Sequence, residues 1–247
     1  MRITIHQPNY LPYLGFFHKM MQCDIFVLLD NVDFVDNLYQ QRNRIKTSQG
    51  WTWLTVPVQH GGKVRPKICE VRIAAEHRGR WGIKHWKSLV TNYGRAPYFK
   101  RYSGLLEDIY CGRRWEKLAD LNETIIRETT GLLGIKKKFV RASDLNAQGE
   151  KSALLVNICK ELGADEYLSG ASGSRYMDSS LFEREGIGVS FHHYPHPRYR
   201  QCFGEFQPHM CMLDLMFNHG DESLRILSLG GDASLDREQG ADPGYSN

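Results

Sequence analysis

Apolar positions along the chain fall into short runs with two different periods. Arg2-Ile3-Thr4-Ile5 reads as a strand, and residues 24–30 (DIFVLLD), apolar throughout with an acid at each end, read as a strand buried on both faces. Residues 15–22 between them carry helical spacing, so the opening predicts a right-handed βαβ unit. Residues 51–58 (WTWLTVPV) are β-rich, with Pro57 marking an edge or a strand end. A turn around Gly61-Gly62 follows, and residues 67–73 alternate like another strand, though Ile68, Val71 and Ile73 are partly out of phase.

The middle of the chain changes period. Residues 78–93, 98–110 and 115–133 each space their apolar side chains as helices, broken at Gly94-Arg95-Ala96-Pro97 and Cys111-Gly112. Strand and helix then alternate again: strands over 139–142, 166–170 and 189–194, and helices over 151–162 and 179–185. Residues 208–219 and 222–229 read as closing helices. The predicted fold is α/β, a mainly parallel Rossmann-like sheet flanked by helices, in a single domain over 1–229 with a helical insertion at about 78–135. Residues 230–247 are poor in apolar side chains and are expected to be a disordered tail.

Composition narrows the setting. The 247 residues are 41% hydrophobic and 24% charged, as in an ordinary globular domain. A net charge of +4 suits anionic small molecules and falls short of a dedicated nucleic-acid binder. No run is long enough for a transmembrane helix and no signal-type tract opens the chain, so a cytoplasmic location is expected. Six cysteines without a pairing pattern read as reduced thiols; Cys159 reads as core, while Cys202 and Cys211 stay open as carriers of a covalent intermediate.

Candidate chemistry concentrates where strands end. His6-Gln7-Pro8-Asn9-Tyr10 follows the first strand, and Pro8 and Pro12 stiffen the loop. His6 is the natural general base, with Gln7, Asn9 and Tyr10 as substrate ligands. His18 reads as a helix-surface histidine. Asp30 ends the second strand; if the two strands are parallel neighbours it stands beside His6, to orient the imidazole or bind a ribose hydroxyl. Gln40-Gln41-Arg42-Asn43-Arg44-Ile45-Lys46 is either a solvated basic loop or a phosphate site, with Arg42, Arg44 and Lys46 on phosphate and Gln41 and Asn43 on a base or sugar. Ser169 and Gly170 open a Gly/Ser loop running to Tyr176, which matches neither Walker A nor GxGxxG. His192 and His193 alternate to opposite faces, against a zinc site, and no metal is expected. His196, Tyr199 and Gln201 are expected to line a cleft.

These pieces together resemble the WbqC-like family. The resemblance rests on His6 through Phe17, Asp24-Ile25-Phe26-Val27 to Asp30, Gln40 through Ile45, Trp53-Leu54-Thr55-Val56-Pro57-Val58, Tyr167-Leu168-Ser169-Gly170, Tyr194-Pro195-His196-Pro197 with Tyr199 and Gln201, and Asp214 through Gly220. Tyr13 stands where that family commonly has tryptophan. The resemblance implies O-antigen or related glycan biosynthesis, and a transferase that attaches an acyl or aminoacyl group to an amino sugar. The expected enzyme takes a nucleotide-linked sugar and uses His6 and Asp30 as its catalytic pair. It carries no tightly bound cofactor, and its activated donor is a carrier-protein thioester, an acyl-CoA or an aminoacyl-tRNA. An acyl or aminoacyl carrier protein is the expected partner, with nucleic acid only as the aminoacyl-tRNA. Two rival readings are nucleotidyl transfer with ATP-dependent activation of a carboxylate, and a non-catalytic binder of glycan precursors.

Overall fold

The computed structural model describes residues 1–59, 65–74 and 80–230. The Gly61-Gly62 turn, the expected start of a helix at Arg78 and the tail beyond Gly230 lie outside the described residues. Gly230 itself is buried against Tyr194, one residue past the last helix.

The first strand, β1 (Arg2–His6), leads into helix α1 (Leu14–Met21) and strand β2 (Ile25–Leu28). After a long excursion come β7 (Lys138–Arg141), α5 (Lys151–Glu161), β8 (Glu166–Gly170), α6 (Ser179–Arg184) and β9 (Gly188–His192). These five strands form one sheet in the order β7-β2-β1-β8-β9, with every pairing parallel. Numbered along the chain, the order is three-two-one-four-five, the doubly wound Rossmann arrangement. The chain builds outward from β1 on one side, then crosses to build on the other, so the topological switch point lies between β1 and β8.

Alternation along the strands gives each face its own core. Ile3, Ile5, Ile25, Val27 and Tyr167 face α5 and α6, meeting Val156, Ile158 and Phe182. Phe26 and Leu28 face the opposite way, into a larger core with Phe16, Phe17 and Met20 of α1. Helix α1 is buried nearly all round, its only half-exposed residue being Met21.

The excursion from β2 to β7 carries β3 (Arg42–Thr47), β4 (Gly50–Thr55), β5 (Val58–Gln59), β6 (Arg72–Ile73), and helices α2 (Arg80–Tyr93), α3 (Phe99–Glu107) and α4 (Leu118–Leu132). None of its strands joins the parallel sheet: β3 pairs with β4 and β5 with β6, both antiparallel. From Arg42 onward the basic run is therefore a strand rather than a loop, with Asn43 and Ile45 inward and Arg42 and Arg44 outward. Residues 68–70 form a 3-10 turn, and only Arg72–Ile73 is strand. Spacing of three and then two residues between Ile68, Val71 and Ile73 buries all three across that turn, which explains their mixed phase. Helix α3 runs into a π-helical turn at Asp108–Gly112, where Gly82 of α2 packs so closely that a methyl group on it would meet the Tyr110 carbonyl at 2.2 Å.

The chain closes with α7 (Met212–His219) and α8 (Ser223–Leu229). Helix α7 starts at Met212 rather than 208 because the preceding backbone is committed elsewhere. Cys211 N donates to Arg44 O at 3.1 Å and Met212 N to Pro12 O at 2.8 Å.

The loop after β1 is buried, so its backbone must find partners outside regular structure. Two asparagines provide most of them. Asn43 Nδ2 donates to Leu11 O at 2.7 Å and to Tyr10 O at 3.3 Å, and Asn122 Nδ2 donates to Pro8 O at 2.8 Å and Gln40 O at 2.7 Å. Leu11 sits at φ 44, a left-handed conformation that a leucine adopts only under such constraint. Asn43→Ala and Asn122→Ala each orphan buried carbonyls and are expected to cost about 1–3 kcal/mol of stability. Urea unfolding followed by tryptophan fluorescence measures it, and a loss below about 0.5 kcal/mol would show the loop to be held by other means.

Candidate functional site

The C-terminal ends of β1, β8 and β9 bring His6, Gly170 and His192 to one face of the sheet, the face covered by α1. Gly170 is directly paired with His192. Helix α1 sends Lys19 over this corner: a methyl group placed on Gly170 would lie 3.9 Å from its Nζ. His18, one residue earlier, bonds His192 through Nδ1···Nε2 at 2.8 Å and packs against Tyr194, ring centroids 4.7 Å apart. It is buried, not a surface histidine, because α1 has no solvent face there.

His6 is half-buried, with its ring edge-on to Phe16. Its Nδ1 lies 2.9 Å from the Gln7 carbonyl, and since a carbonyl only accepts, Nδ1 carries the proton and Nε2 keeps its lone pair. Burial, and then the nearby Lys19 charge, push the imidazole down to about 3. Burial and the same lysine hold His192 at about 3. Lys19 is only 4% exposed, and burial brings its amine down to about 7. No carboxylate contributes to any of these three shifts. The corner is a cluster of bases without an acid.

Asp30 does not join it. β1 pairs with β2 only as far as His6 opposite Leu28, and two residues later the chain has turned toward β7. There Asp30 accepts from Ser143 N at 2.9 Å and Ser143 Oγ at 2.7 Å, so it caps the turn after β7 rather than orienting His6. A cavity of about 270 Å³ opens beside it, lined by Asn31, Lys67, Ser143, Gln148 and Gly149.

Most other expected ligands are engaged in the scaffold. Gln7 remains half-exposed, accepting from Gln40 Nε2 at 2.5 Å. Asn9 is buried, and the Tyr10 hydroxyl is sequestered between His85 Nδ1 and the Tyr110 hydroxyl, 2.7 Å from each. Gln41 accepts from Asn37 N at 3.1 Å, and Asn43 clamps the loop as described. Lys46 points inward, donating to Glu205 O at 2.5 Å and Gln201 Oε1 at 3.2 Å. Tyr199 and Gln201 donate to the buried Asp214 at 2.9 and 2.8 Å, beside Tyr93 at 2.8 Å. His196 donates through Nδ1 to Pro197 O at 2.9 Å and accepts from His209 N at 3.3 Å. Ser169 faces the other side of the sheet, bonded to Tyr167 and crowded by Gly173, while Tyr176 is 59% exposed. These residues are expected at a ligand because they are polar; Tyr10, Gln41, Asn43, Lys46, Tyr199, Gln201 and His196 fill hydrogen-bond positions inside the fold instead.

Arg42 and Arg44 alone of the basic run stay on an outward face. The Arg42 guanidinium lies 4.3 Å from the Trp53 ring centre and that of Arg44 5.1 Å from Trp51. Asn37, Leu38, Tyr39, Arg42 and Trp53 line a cavity of about 130 Å³ there. Among the cysteines, Cys211 is fully buried with its thiol pushed up to about 12, which argues against it as a nucleophile, and burial raises the half-buried Cys202 as well. Among the described residues, no cluster of three or more His, Cys, Asp or Glu is placed to hold a metal ion, and no helix is long and apolar enough to cross a membrane.

Sequence reasoning does not single out Lys19, and it reads His18 as a surface residue and His192 only against a zinc site. The available signal was a lysine inside Leu14-Gly15-Phe16-Phe17-His18-Lys19-Met20, a run too apolar to leave a solvated face.

Four histidines are held neutral by burial. His6 and His192 sit near 3 and His85 and His196 near 4, all below the ordinary 6.5. Between these values the unfolded chain binds protons that the folded chain refuses, so stability is full above about pH 6.5 and falls as pH drops toward 3–4. Urea midpoints taken from pH 7.5 to 4.5 should fall steadily. Replacing His85 by Gln should flatten the slope; an unchanged slope would place the uptake elsewhere.

A model of the WbqC-like protein family matches residues 7–226. The chain is 34% identical over 223 residues to the uncharacterized protein Rv1507c of Mycobacterium tuberculosis, covering 90% of this chain and 95% of that protein. No solved structure matches it. With a family match running from the loop after β1 to helix α8, the chain belongs to the WbqC-like protein family.

Proposed function

We propose that the protein is a transferase that joins an acyl or aminoacyl group to the amine of a nucleotide-linked amino sugar, as part of glycan or natural-product biosynthesis, with chemistry at the β1–β8 crevice. The observation that carries this reading is His6, a neutral imidazole whose tautomer is fixed by its own loop and whose Nε2 lone pair stands at the switch point of a doubly wound sheet. In the proposed step the sugar amine attacks the donor carbonyl and forms the C–N bond. His6 Nε2 takes the proton from that nitrogen, the carbonyl–sulfur or carbonyl–oxygen bond to the carrier breaks, and the proton passes to the departing thiolate or alkoxide. Base assistance of this kind contributes about 10²–10⁴-fold when the base titrates near the working pH, so the imidazole must gain basicity in the substrate complex. Asp30 has no part in it. Gln7, half-exposed beside His6, is the neighbouring polar ligand, and the outward Arg42 and Arg44 suit the phosphates of a phosphopantetheine arm, coenzyme A or tRNA donor.

The test incubates purified protein with nucleotide-linked amino sugars and, in separate arms, acyl-CoA, acyl- or aminoacyl-carrier protein and aminoacyl-tRNA, with the amide product read by mass spectrometry. His6→Ala is expected to cut turnover at least about a hundred-fold, whereas Asp30→Asn lowers thermal stability and leaves turnover within about three-fold. Equal loss in both variants would restore the dyad, and a fully active His6→Ala would remove the general base.

A further inference from the structure

Lys19 is a buried side chain whose amine meets no carboxylate among the described residues, and none of the hydrogen bonds there ends on Nζ. Its surroundings are the sheet corner at Gly170, the imidazoles of His6 and His192, and, through His192, that of His18. A buried amine of this kind is costly to hold charged: it gives up its proton or is met by an anion. Its depressed value near 7 reports that cost.

Position says what arrives. Lys19 hangs over the ends of β1 and β8, the point where doubly wound sheets seat the phosphates of a nucleotide. Gly170 leaves the approach open, since any side chain there would project toward the amine. The first turn of α1 contains no acidic residue to compete for the place.

We propose that Lys19, with Gly170 and the surrounding imidazoles, forms an anion site that takes the diphosphate of a nucleotide-linked substrate. The proposal rests on the transferase reading for the identity of the substrate, though not for the site itself. It also joins the two halves of the chemistry. After burial, Lys19 is the largest influence holding down the basicity of His6, so a diphosphate paired with the ammonium screens that charge and makes His6 a stronger base once substrate is seated.

The test needs no turnover. Inorganic pyrophosphate, at about ten times its dissociation constant, should raise the melting temperature of the wild-type protein by about 3 °C, with inorganic phosphate giving less and acetate nothing. Lys19→Met should melt at or above the wild-type temperature without ligand, because an unpaired charge has been exchanged for an apolar chain of similar length, and it should lose the pyrophosphate shift. As a second measurement, lysine-Nζ NMR on the wild type should show pyrophosphate moving the Lys19 titration midpoint upward by about one pH unit or more. An equal pyrophosphate shift in Lys19→Met, an unmoved Lys19 midpoint, or acetate matching pyrophosphate would each overturn the diphosphate site. A Lys19→Met protein that melts well below wild type would show that the ammonium is already satisfied in the fold. Failure here with amide formation intact would leave the transferase standing without this anchor; the reverse would leave a nucleotide site on a protein that does other chemistry.

Discussion

Everything at the candidate site depends on burying a loop that has no secondary structure. Residues between β1 and α1 lie inside the molecule, and their backbone groups are satisfied from distant parts of the chain. Asn43 comes from β3, Asn122 from α4, the Tyr39 carbonyl accepts from Tyr10 N, and the amide at the head of α7 reaches Pro12. The excursion between β2 and β7 and the closing helices thus act as a mould around the loop. A Rossmann-like sheet alone would leave those carbonyls in an apolar interior without partners.

How much of this was legible follows from where the determining partners lie. Strand β8 and helices α5 and α6 rest on local periodicity, and their observed bounds match or nearly match those read from the sequence. The sheet class was legible for the same reason. The hairpin at β3 was not, because Arg-Asn-Arg-Ile-Lys looks like surface until Lys46 is seen to meet Gln201 and Glu205, over 150 positions away. Polar residues gave the most misleading signal. Gln41, Asn43, Tyr199 and Gln201 looked like ligand contacts, yet side chains that bind a substrate and side chains that bind the protein's own backbone share one chemistry. Asp30 failed on a finer point: two residues past the end of pairing, direction is no longer set by the sheet.

Two buried charges show the contrast between scaffold and site. Asp214 is enclosed, yet Tyr93, Tyr199 and Gln201 all donate to it and Lys46 lies near, so its burial is compensated and its role is to fasten the segment after β9 onto α7. Lys19 is nearly as enclosed, at 4% exposure, and has no such company among the described residues. The difference separates a charge compensated by the fold's own donors from an amine without a carboxylate beside it, and neither could be read from residue type.

The strand order also sets a sequence of events in time. β1 is made first but lies in the middle of the sheet, between β2 and the late strand β8, with Thr4 Oγ1 donating to Leu168 O at 2.6 Å. During synthesis the first strand can meet β2 early, but one wall of the crevice and the amide that closes on Pro12 emerge only after some 160 to 210 residues. A partly made chain therefore carries His6 and Lys19 before β8, β9 and the head of α7 are there to enclose them.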